Sequence, residues 1–111
     1  KEIKLVPLDI YIENNGINKI DFIKIDVEGS EIDTLYGARL SLQRSKPTLH
    51  IEVNSELFKN SKHSVKELWE FLKELGYKTI YYYDADPNLL LDFEKLIVKE
   101  KVINTNIIAV N

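Results

Sequence analysis

The sequence predicts an α/β domain with a mostly parallel sheet, and three observations point there. Residues 21–31, Asp-Phe-Ile-Lys-Ile-Asp-Val-Glu-Gly-Ser-Glu, have the pattern of a strand running straight into a helix. Phe22, Ile23, Ile25 and Val27 are apolar on both faces, as expected for a strand covered on both sides. From Phe22 onward, strand-like and helix-like periods alternate, which calls for right-handed crossovers and parallel pairing, with an antiparallel pair at the C-terminal end.

Taken in order, residues 2–6 read as a short strand that Pro7 ends. Residues 8–15 read as a brief helix closed by Gly16, with Ile17 folding back as its apolar partner. The central strand covers residues 22–28. Ser30 is a candidate N-cap with Asp33 three residues on, a variant of the capping box. Ile32, Leu35, Ala38 and Leu42 then recur at helical spacing and are expected to face the sheet. Gly37 is unfavourable inside a helix, so a close helix–sheet approach is its expected reason.

Pro47 stops that helix, and residues 48–54 form a second central strand. Leu49, Ile51 and Val53 point one way and His50, Glu52 and Asn54 the other. Residues 55–63 read as a polar loop, long enough to be a candidate binding loop, with His63 exposed at its end. Ser64 and Glu67 make a capping box for a helix with the stripe Val65, Leu68, Trp69, Leu72 and Leu75, which Gly76 ends. Residues 77–83 are an aromatic strand in which Tyr81, Tyr82 and Tyr83 could wall a substrate pocket, although strand preference by itself accounts for them. Asp84 and Asp86 suit a turn before Pro87. Residues 94–101 fit helix or strand, and residues 106–110 are a last buried strand.

At 111 residues the chain fits a single domain. Its 44% apolar and 30% charged content is that of a globular protein. A net charge of −3 with interspersed signs offers no basic face, which argues against nucleic acid or an anionic membrane as partner. Without cysteine there is no disulfide, thiolate zinc site or cysteine nucleophile. No stretch resembles a signal peptide, so a cytoplasmic location is expected. The absence of methionine leads us to expect further residues upstream of Lys1.

Two polar stripes carry the functional interest. Lys24, Asp26 and Glu28 lie on one strand, and His50, Glu52 and Asn54 on the next. In open α/β sheets the ligand crevice lies outside the carboxyl ends of the strands, where Asp26 and Glu28 belong. If the stripes share a face, carboxylates and an imidazole converge there and can host acid–base chemistry. The structural alternative is that Lys24 pairs with Glu52 or Asp26 while Glu28 and Asn54 are solvated strand ends. Glu31, in the first helical turn, is equally explained by the positive helix end.

The run from Ile20 to Glu31, followed by Leu35-Tyr36-Gly37-Ala38 and by Lys46-Pro47 ahead of Ile51-Glu52-Val53, resembles the FkbM-type methyltransferase family. Leu8-Asp9 before the short helix and Gly16-Ile17 after it fit the same pattern, so the resemblance extends over nearly the whole chain. It implies a Rossmann-like methyltransferase fold, S-adenosylmethionine as cofactor, and methylation of a hydroxyl on a small molecule or glycan. It also implies Asp26, Glu28 and Glu52 as catalytic candidates with His50 deeper, and Asp26 and Val27 on the cofactor side. Family members have a glycine-rich loop after the first strand and an acidic ribose-binding residue after the second. This chain has no G-x-G motif, so the fold is expected to be incomplete at its N-terminal half, residues 1–111 forming one partial domain. The strand at residues 22–27 would then have an open edge, inviting homo-oligomers by edge pairing or rescue by residues 2–6.

Two other classes remain. A non-catalytic α/β interaction module would carry the acidic stripe as a remnant, and cofactor binding separates it from an enzyme. A phospho-accepting receiver domain is disfavoured because no acidic pair ends the first strand.

Overall fold

The computed structural model describes residues 7–26, 30–60, 62–99 and 103–111. The expected strand at residues 2–6 lies outside the described residues, as do Val27, Glu28 and Gly29.

Helix α1 (Leu8–Asn14) ends as its sequence demands. Gly16 takes φ +64°, and the Ile17 amide reaches back to the Ile12 carbonyl at 3.1 Å, closing a Schellman-type cap. Strand β1 (Phe22–Ile25) leads to α2 (Glu31–Tyr36) and α3 (Arg39–Ser45). The single helix expected here is thus two, broken at Gly37 and Ala38. Ile32, Leu35, Ala38 and Leu42 are nonetheless all buried, because the break preserves their common face. A Cβ on Gly37 would lie 3.3 Å from the Pro7 Cβ, so the close approach is to the segment before α1 rather than to the sheet. The Ser30 side chain makes no capping bond, contrary to expectation. At the start of α3, where Ala38 has no polar side chain, Asp9 supplies the cap. Its carboxylate accepts from the Leu40 amide (2.9 Å), the Ser41 amide (2.8 Å) and the Ser41 hydroxyl. Burial works to raise the Asp9 pKa, but these bonds outweigh it and hold the carboxyl below its ordinary value.

Strand β2 (Thr48–Asn54) is followed directly by helix α4 (Ser55–Asn60), where a polar loop was expected. Asn54 accepts from the Glu56 and Leu57 amides, and Phe58 is fully buried, so one cap and one anchor fold the segment. Helix α5 (Val65–Glu74) is capped by Ser64, whose hydroxyl accepts from the Glu67 amide at 3.1 Å. Its stripe is buried as expected, with Phe71 added and Trp69 only partly covered. Strand β3 (Thr79–Tyr83), the two-residue β4 (Leu91–Asp92), helix α6 (Phe93–Lys99) and β5 (Asn104–Val110) complete the described chain. The ambiguous segment at residues 94–101 is thus helical through Lys99, with Phe93 buried beneath it.

The strands form one sheet in the order β1-β2-β5-β3-β4. β1 and β2 are parallel, whereas β5 runs antiparallel to both β2 and β3, and β4 antiparallel to β3. The sheet is therefore mixed rather than mostly parallel, because the last long strand inserts between β2 and β3. Ile25, Leu49, Ile51, Val53, Ile107 and Ala109 are buried on one face, in a single core with residues of α2 to α6. The strand side chains on the opposite face are exposed or half-buried. Among the described residues, coverage of β1 on both sides, as expected from its composition, is not seen: Phe22 is 56% exposed.

Candidate functional site

Sheet register brings the two polar stripes together. Lys24 pairs with His50 across β1 and β2, and Ile25 pairs with Ile51. One step further along both strands come Asp26 and Glu52. Across β5, Glu52 pairs with Asn106, and Asn106 pairs with Tyr83 of β3. Directly paired residues share a face. Lys24, His50, Glu52, Asn106 and Tyr83 therefore line the open face, with Asp26 at the carboxyl end of β1. Asp26 and Glu52 are exposed and His50 is half-buried. Glu28 and Val27, the other residues singled out from the sequence, lie outside the described residues.

His50 has a partner that the sequence did not suggest. Its Nε2 lies 2.8 Å from the Tyr83 hydroxyl, with the rings tilted at 41° and centroids 5.7 Å apart. Burial, and then the positive charge of Lys24, push the His50 pKa below its ordinary value, so the ring is neutral at neutral pH. A neutral imidazole has one acceptor nitrogen, and Tyr83 can donate to it. Strand preference explains why tyrosines occur in β3; only the alternation that puts Tyr81 and Tyr83 on one face, and Tyr82 on the other, could have singled out Tyr83. His63 was also misread. Its side chain is 15% exposed and bonded to Asp33 and Glu67, because α4 tucks it between α2 and α5. Glu31 is 2% exposed, more deeply buried than a favourable helix end requires. Among the described residues no group of three or more His, Asp or Glu side chains is arranged to hold a metal ion. Nor is any described helix long and apolar enough to cross a membrane.

The described glycines do not cradle a nucleotide. Gly16 and Gly76 end α1 and α5 at positive φ, and Gly37 packs against Pro7. These residues alone do not fit an S-adenosylmethionine pocket of the glycine-loop kind.

The model of the FkbM methyltransferase domain matches residues 1–79. The chain belongs to the FkbM methyltransferase family. The match takes in β1, α2 and β2, and with them Asp26, His50 and Glu52, but stops at the first residue of β3. It is thus shorter than the near-complete coverage expected from the motifs, and leaves Tyr83 and β5 beyond it. No curated protein and no solved structure matches the chain. At family level this FkbM chain is a methyltransferase, a class that in general draws its methyl group from an S-adenosylmethionine-type cofactor.

Proposed function

We propose that this FkbM chain is the acceptor-side part of an S-adenosylmethionine-dependent methyltransferase of Rossmann-like fold that methylates a hydroxyl oxygen of a small molecule or glycan. The observation that carries the reading is that Asp26 and Glu52 each come next after the paired residues Ile25 and Ile51, toward the carboxyl ends of β1 and β2, in a chain of this family. Those strand ends are where open α/β sheets take their ligands. The sequence without a G-x-G motif, and glycines committed to helix ends and to Pro7, support assigning the cofactor side to residues outside this set.

When bound, the cofactor supplies an electrophilic methyl group. The chain's own residues would do the rest: the open face would hold the acceptor, and a carboxylate of Asp26 or Glu52 would take the hydroxyl proton. Positioning of this kind contributes much of the acceleration in two-reactant steps. Lys24 and Asn106 flank the carboxylates and offer hydrogen-bond donors to acceptor oxygens. His50, with its Nε2 engaged by Tyr83, is less available as the base than the carboxylates.

The test introduces Asp26→Asn, Glu28→Gln and Glu52→Gln into a catalytically active form of this methyltransferase. Each change keeps shape and removes charge. Loss of a general base costs on the order of 10²–10⁴ in rate. At least one variant is expected to lose turnover on that scale while keeping its circular dichroism spectrum. Near-normal turnover in all three would make the polar row structural.

A further inference from the structure

His63 stands between two helices with both ring nitrogens on carboxylates. Nε2 is 2.8 Å from Asp33 Oδ1 on α2, and Nδ1 is 2.9 Å from Glu67 Oε2 on α5. The Tyr36 hydroxyl donates to the same Glu67 oxygen at 2.5 Å, and the Tyr36 ring stands edge-on to both the imidazole and Phe71. A neutral imidazole has a single N–H and cannot donate to both carboxylates; an imidazolium can.

We propose that His63, as an imidazolium, is a pH-sensitive link fastening α2 to α5, and that its deprotonation releases Asp33 while Glu67 stays held. The asymmetry follows from the surroundings. Glu67 lies one turn along from His63, its side chain is 34% exposed, and Tyr36 shares its oxygen. The Asp33 side chain is 62% exposed, so water readily replaces the imidazole there. Among the described residues, Lys59 of α4 and Lys66 of α5 line a groove together with His63, and each lies near a carboxylate, Glu56 at 3.7 Å and Glu70 at 3.9 Å. Arg39 of α3 sits over the Phe71 ring and pairs with Glu74. The Asp33 hydrogen bond raises the His63 pKa, burial opposes it, and the charges of Glu67 and Asp33 complete a net upward shift.

With a folded value above the unfolded one, the link is complete below an ordinary histidine pKa of about 6.5 and is lost as pH rises through the raised value. Asp33 lies in the first turn of α2, the helix that follows β1 and the carboxylates at its end. Its release would loosen the helix that follows β1 in the chain. The link does not depend on the methyl-transfer reading and can be tested without cofactor or acceptor.

The chain has two histidines, so a side-chain NMR titration resolves them. His63 is expected to titrate above the ordinary value and His50 below it. Amide protection of residues 31–36, corrected for intrinsic exchange, should fall in step with the His63 titration. Asp33→Asn should lower the proton affinity of His63 on the order of tenfold, about one pH unit, and flatten the change in protection. Because Asp33 is exposed, this variant retains the fold. A His63 midpoint unmoved by Asp33→Asn, or protection of residues 31–36 that ignores the His63 titration, would overturn the proposal.

Discussion

Tyr77 donates its hydroxyl to the Pro47 carbonyl at 2.6 Å in a buried setting, and burial pushes its phenol well above the ordinary tyrosine value. That one bond joins the end of α5 to the start of β2, 30 residues away in the chain. Tyr77→Phe should therefore cost about 1–3 kcal/mol, because it strips a buried carbonyl of its donor; urea unfolding measures it. A variant as stable as the parent would mean that water reaches Pro47. Tyr36, its hydroxyl on Glu67, has a pKa raised to about 12 by that bond, by burial and by the Glu67 charge. At this scale the sequence was partly legible. Asp26, His50 and Glu52 could be named from strand alternation, since period two fixes which side chains share a face. Tyr83 as the partner of His50, and Asp33 as that of His63, could not, because tertiary packing sets those contacts and no local pattern encodes them.

Elements were read best where a cap or a breaker stood at their ends. Ser64 before α5, Gly16 after α1 and Pro47 before β2 each act as their chemistry requires. The polar stretch that folds as α4 was missed because its lone anchor, Phe58, gives no period to detect. Its energetic role is testable. Phe58→Ala should destabilise the chain by about 3–5 kcal/mol and unfold α4 first. Urea unfolding together with hydrogen exchange at residues 55–60 would show both, and unchanged stability would contradict the assignment of Phe58 as anchor. The break between α2 and α3 was hidden for a different reason: Ile32, Leu35, Ala38 and Leu42 keep one face whether or not the helix is continuous.

For the molecule as a whole, the α/β class and the long strands were legible, while the insertion of β5 between β2 and β3 was not, because pairing order depends on contacts distant in sequence. Among the described residues β1 lies at the sheet edge, with Phe22 exposed and Lys24 and Asp26 alternating along it. An antiparallel second copy can set Lys24 of each chain against Asp26 of the other and pair backbone groups that edge strands leave open. Self-association is therefore expected in sedimentation, and a concentration-independent monomer would contradict it. The central proposal is that this FkbM chain carries the acceptor side of the cleft and does not by itself form the cofactor side. A ligand at 100 times its dissociation constant stabilises a fold by about 2.7 kcal/mol, a shift that melting detects readily. The deciding measurement is the melting temperature of this chain with and without millimolar S-adenosylmethionine. The account predicts no shift for the chain; a clear, saturable rise would contradict it.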